Sequence, residues 1–137
     1  MGVIIDSSVL IAGERRGEGV SRILERVEAA CGQTEAALSA VTVVELTHGI
    51  YRAKTDADRK RRETFVEELL VAMAVHPLTL EVARLGGRIH GEQKGRGITI
   101  DFPDLIIGVT ALHLGFDVVT ANVRHFQRVP GLNVLAI

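Results

Sequence analysis

Val3-Ile4-Ile5-Asp6-Ser7-Ser8-Val9-Leu10-Ile11 sets three branched aliphatic residues, one acid and two hydroxyls ahead of a second apolar group. A continuous apolar run this short suits a strand buried on both faces, as in a parallel sheet covered by helices. Asp6 ends the run, and a short helix through Val9, Leu10 and Ile11 follows directly. The same alternation continues downstream. Val20, Ile23, Leu24 and Val27 recur at helical intervals, with Gly32 as the stop. Leu38 begins a brief extended piece before Thr42 opens a helix through Val43, Val44, Leu46 and Ile50. Residues 56–74 read as a long helix that buries Phe65, Leu69, Leu70 and Met73 and leaves its charged first half at the surface.

His76-Pro77-Leu78 breaks that helix as a short strand or turn, and Leu78, Val82, Leu85 and Ile89 give the spacing of another helix. Glycines 91, 95 and 97 end it; lacking any G-x-x-x-x-G-K-[ST] pattern, they form a loop and not a nucleotide cradle. Pro103 sits just inside a helix over 104–114 that is apolar enough to be central. Gly115 closes it, Val118-Val119 is a strand, and 133–137 supplies a last one after the Pro130-Gly131 turn. Strands separated by helices predict an α/β fold with a parallel sheet and crossovers.

A chain of 137 residues with 47% hydrophobic content predicts one domain, spanning 1–137. Sixteen basic against seventeen acidic residues leave a net charge of −1, so any contact with a polyanion must come from a local patch. The single cysteine, Cys31, excludes an internal disulfide and reads as a core thiol. No apolar stretch approaches the length of a membrane span and no signal-peptide pattern is present, so a cytoplasmic protein is expected.

Asp6, Glu45 and Asp104 each stand where an apolar run gives way to a helix start. Each has a structural explanation by itself: Asp6 caps the helix at Ser7, Thr42-x-x-Glu45 matches a capping box, and Asp104 favours the positive end of its helix dipole. Together they weigh differently. A cap works equally well as Ser, Thr or Asn, yet all three positions carry a carboxylate, and Asp6 follows a buried strand where a lone charge is costly. Acids at the carboxyl ends of parallel strands can converge on one hard cation. Mg²⁺, with Mn²⁺ as an alternative, suits such a donor set, and the chain reads as a metal-dependent nuclease.

Asp6-Ser7-Ser8-Val9-Leu10-Ile11, Ser39-Ala40-Val41-Thr42-Val43-Val44-Glu45-Leu46 with Gly49, Asp104-Leu105-Ile106-Ile107-Gly108 with Ala111, and Val119-Thr120-Ala121-Asn122 with His125-Phe126 together resemble the PIN-domain family. The resemblance is closest to its VapC-type toxins. It implies a three-layer α/β/α sandwich with a short central parallel sheet, metal-dependent endonucleolytic cleavage of RNA, and neutralisation by a VapB-like antitoxin seated in a groove between helices. Position by position, Asp6, Glu45 and Asp104 match the family's metal-binding acids. Ser8 and Thr120 match polar residues that orient the site, and Asn122 matches the asparagine of the Thr-x-Asn segment. The family often carries a fourth acid where this chain has His125. With three acids, one strong cation site and one weak, substrate-assisted site are expected. His125, a better ligand for Mn²⁺ than for Mg²⁺, and Asp101 are the candidates for the missing position.

Arg124, in the loop beside these acids, is the expected RNA contact, whereas Arg59-Lys60-Arg61-Arg62 reads as a solvated helix face. His113 reads as a satisfied core side chain. Helices apolar on more than one face predict a homodimer. Two other readings compete. A phosphatase of the haloacid-dehalogenase type needs a second Asp two residues after the first, where this chain has Ser8. The alternative of a different class is a non-catalytic RNA- or antitoxin-binding module that keeps the fold without a working site.

Overall fold

A computed structural model describes residues 1–137. Its five strands are β1 (Gly2–Ile5), β2 (Glu35–Ser39), β3 (Ala74–His76), β4 (Asp117–Thr120) and β5 (Val134–Ala136). All neighbours pair in parallel, in the order β3-β2-β1-β4-β5. The helices are α1 (Ser7–Arg15), α2 (Val20–Cys31), α3 (Ala40–Tyr51), α4 (Asp56–Ala72), α5 (Leu80–Gly95), α6 (Phe102–Leu114) and α7 (Val123–Phe126). None is long and apolar enough to cross a membrane.

Alternation along the strands sorts the helices into two layers. Val3, Ile5, Leu38 and Val119 meet side chains of α1, α2, α3 and α4, among them Leu10, Ile23, Leu46 and Leu69. Ile4, Ala37 and Val118 point the other way, onto Ile107 and Ala111 of α6 and Phe126 of α7. α5 packs outside α6 through Val82 and Ile89 against Leu105 and Val109. β1 is therefore covered on both faces, as its unbroken apolar run requires. This is the expected α/β/α sandwich.

The departures from the sequence reading have local causes. β2 starts at Glu35, three residues before Leu38, because its outer end is polar and exposed while pairing with β1. α3 is capped by Ser39, whose hydroxyl accepts from the Val41 N–H, so Thr42 lies inside the first turn and opens nothing. On α4 the buried face is Phe65, Val66 and Leu69; Leu70, 38% exposed, falls on the next position around the helix. Gly91 lies within α5, which Thr79 caps and which ends at Gly95, and Leu78 is exposed ahead of it. His113 is no core residue: its side chain is 39% exposed and its Nε2 lies 3.4 Å from Glu81. Cys31 is partly buried against the larger core. Gly115 closes α6 in the left-handed conformation, φ 70°, a backbone state that favours glycine.

Candidate active site

β1 has β2 on one side and β4 on the other, so the chain reverses its direction of progress across the sheet between β1 and β4. In open α/β sheets, ligands bind beyond the carboxyl ends of the strands at such a switch point. Asp6 follows β1 there, its N–H bonded to the carbonyl of Val119 at 2.9 Å. The carboxylate is only 4% exposed. Its Oδ2 accepts from Ser8 Oγ at 2.7 Å and from Thr120 Oγ1 at 2.8 Å. Each hydroxyl in turn accepts a backbone N–H, Ser8 from Ala121 at 3.1 Å and Thr120 from Asn122 at 2.9 Å. Those two N–H groups occupy the acceptor side of the hydroxyls and turn both protons toward Asp6. The pair offsets the cost of burying the carboxylate and leaves Oδ1 for another partner. Asp6 occupies the N-cap position of α1, but its side chain accepts from no helix N–H, so capping does not explain the carboxylate.

Glu45 does not stand at a helix start, as the sequence pattern suggested; it lies more than a turn into α3. The capping box is absent, and Glu45 Oε1 is buried with no hydrogen-bond partner. Burial, reinforced by Asp6 and Asp104, pushes the Glu45 carboxyl above its ordinary range, while the nearby Ser7 hydroxyl opposes the shift. Asp104 lies in the first turn of α6. Burial and then Asp6 and Asp101 raise its carboxyl, against His125 and Arg128, which lower it. Three acids from distant segments thus act on one another through space. As the side chains stand, no three metal-ligating groups close on one point.

The raised carboxyl of Glu45 has a thermodynamic consequence. In the unfolded chain Glu45 ionises at its ordinary value, so above the folded value both states are ionised and the native state bears the whole penalty. As pH falls through the window between the two values, the native state takes up the proton first and the penalty disappears. Glu45→Gln is therefore expected to raise the Tm at pH 7.5 in chelator, with the gain shrinking toward pH 4.5. Thermal unfolding of both proteins across that range checks this, and an equal or lower Tm at pH 7.5 would refute it.

His125 is exposed on α7, with Nδ1 3.4 Å from Asp104 Oδ2. Asn122 is the N-cap of α7, and its carbonyl accepts from the His125 N–H at 3.2 Å. Asp101 holds the N-cap position of α6 without a side-chain cap bond. Arg124 is exposed and lies on α7, not in a loop. Arg128 was not legible in the sequence: its guanidinium donates to the Thr99 carbonyl at 3.0 Å, and its own carbonyl accepts from Gln93 at 2.7 Å. No motif or spacing marks an arginine whose place is set by two backbone contacts.

The family model of the PIN domain matches residues 3–132. The chain belongs to the PIN-domain family. Ribonuclease VapC1 of Rickettsia felis is 31% identical over 137 residues, 100% of this chain and 97% of that protein, which places the chain among the VapC proteins. The tRNA(fMet)-specific endonuclease VapC of Salmonella typhimurium is 30% identical over 97 residues, 71% of each. The crystal structure of VapBC2 from Rickettsia felis, bound to a DNA fragment from their promoter, shares the fold with a TM-score of 0.84 at 18% identity, covering 99% of this chain and 98% of that one.

In this PIN domain the donors suit a hard dication. The three acids offer only oxygen, and Oε1 of Glu45 is a buried carboxyl oxygen lacking a partner. Beside Glu45 a groove of about 550 Å³ runs between α1, α3 and α4. Ile11, Leu46 and Phe65 give it an apolar lining, and Arg15, Arg52 and Lys54 add basic groups. Arg61 is neutralised by Glu14 and Asp58 and Arg62 donates to the Gly49 carbonyl, so the run of four basic residues on α4 is partly consumed by structure.

Proposed function

We propose that the protein is a VapC-type toxin, a divalent-metal-dependent endoribonuclease held in check by a VapB-like antitoxin. The observation that carries this reading is the buried Asp6 carboxylate at the switch point, held by two oriented hydroxyls, with Glu45 and Asp104 near enough for its charge to raise both. Asp6, Glu45 and Asp104 would hold Mg²⁺, or Mn²⁺ in its place. Bound there, the cation supplies positive charge against a phosphate oxygen and acidifies a water for in-line attack.

The chain's own groups do the rest. Ser8 and Thr120 fix the rotamer of Asp6 through Oδ2 and leave Oδ1 free for a cation. Ser8 is no nucleophile, because its proton is committed to Asp6 and its acceptor side to the Ala121 N–H. Arg128, whose charge acts on Asp104, and Arg124, exposed on α7 next to His125, would contact phosphates near the scissile bond. A basic side chain from an antitoxin in the adjoining groove would sit near Glu45 and compete electrostatically with cation and substrate. Val44 and Phe102 remain exposed on α3 and α6, the apolar surface a homodimer would cover.

Cleavage of total cellular RNA, tRNA included, by the purified protein tests the reading. Discrete fragments are expected with Mg²⁺ or Mn²⁺, and none in chelator. Intact RNA with either metal, from well-folded protein free of antitoxin, would overturn it in favour of a binding module. Fragments that persist in chelator would overturn the role of the metal.

A further inference from the structure

His125 is half-exposed on α7, with one ring nitrogen directed at Asp104. α7 is too short to be stable alone, yet both its ends are tied. The Asn122 N–H bonds Thr120 Oγ1, the same hydroxyl that holds Asp6, and Phe126 is buried beneath the sheet. The imidazole is thereby carried on the turn that orients the first acid. Its Nδ1 lies 3.4 Å from Asp104 Oδ2. That is long for a hydrogen bond, which runs about 2.7–3.2 Å. It suits two neighbouring ligands of one small dication, where metal–ligand bonds of about 2.1 Å give edges of roughly 3.0–3.4 Å.

We propose that His125 is a nitrogen ligand of this site and gives it a preference for Mn²⁺ over Mg²⁺. The inference rests on reading Asp6, Glu45 and Asp104 as the cation-binding group. Mg²⁺ is hard, oxygen-seeking and slow to give up its waters, whereas imidazole suits first-row transition metals. A fourth acid would add attraction for any dication and more repulsion without one; His125 adds attraction selectively.

Pulsed electron paramagnetic resonance of the Mn²⁺-loaded full chain tests this, with calorimetric titrations of MnCl₂ and MgCl₂. The proteins compared are wild type, His125→Asp, His48→Gln and Asp6→Ala. His48 is included because it lies one helical turn from Glu45 and is the nearest alternative nitrogen in sequence. His125 is exposed, so its replacement leaves the core intact, which circular dichroism verifies. Nitrogen modulation is expected in wild type and His48→Gln and absent in His125→Asp. The ratio of Mg²⁺ to Mn²⁺ dissociation constants should fall about 10-fold in His125→Asp. Nitrogen modulation that survives in His125→Asp, or is missing from wild type, overturns the proposal. If wild type lacks modulation but Asp6→Ala loses Mn²⁺, His125 alone is removed from the ligand set. If Asp6→Ala binds Mn²⁺ as tightly as wild type, the reading of the acids falls with it.

Discussion

Asp6→Asn should reduce RNA cleavage on the order of 1,000-fold, equivalent to about 4 kcal/mol of lost transition-state stabilisation, while leaving the protein folded. The substitution keeps the side chain's volume. It also keeps an oxygen that can accept from Ser8 and Thr120, so the turn joining β1 to α1 and its partner after β4 should survive. What disappears is one of three negative charges at the switch point. Removing it relieves Glu45 and Asp104, both pushed upward by Asp6, so the metal-free variant should be at least as stable as wild type. Loss of activity without loss of stability distinguishes a cation ligand from a structural acid. Single-turnover cleavage and thermal unfolding, run on the same preparation, read the two quantities; near-wild-type cleavage by folded Asp6→Asn would remove Asp6 from the chemistry.

The second large effect is on stability. Phe126→Ala should cost about 3–5 kcal/mol, the usual range for deleting a buried aromatic side chain. Phe126 is 0% exposed and packs among Ile4, Ala37, Ile107, Ala111 and Val118, where β1, β2, β4 and α6 meet. Against a total of roughly 5–15 kcal/mol for a domain, that is a large share. Urea unfolding should show a much lower midpoint with a similar slope. A cost under about 1 kcal/mol would mean that α7 is held by something other than this side chain.

Asp6 was legible because its cue is local: an apolar run, an acid, two hydroxyls and a helix occupy consecutive positions. Asp104 was legible for a similar reason, next to a proline at the start of an apolar helix. Glu45 was identified through its motif, while the spacing misled: Thr42-x-x-Glu45 has the pattern of a capping box, but Ser39 does the capping and leaves Thr42 Oγ1 and Glu45 Oε1 without partners. Periodicity located the helices and misassigned residues at the edges of their buried faces. Leu70 and His113 are the examples, because one position around a helix separates core from solvent. The contribution of Arg128 depends on contacts with Thr99 and Gln93 that exist only after folding.

The pair that holds the first acid, Asp6 and Thr120, is separated by 114 positions in the chain. β1 is the middle strand of the sheet although it is the first to be made, and the neighbour that completes its far side comes after α6. Contacts this distant in sequence carry a high closure cost and form late in folding. During synthesis Asp6 must wait, unpartnered on that side, until translation has passed Thr120. The topology therefore acts as a timer: a growing chain, or one that ends before β4, cannot pair Asp6 with Thr120, and the turn that orients the first acid is complete only when the sheet can close.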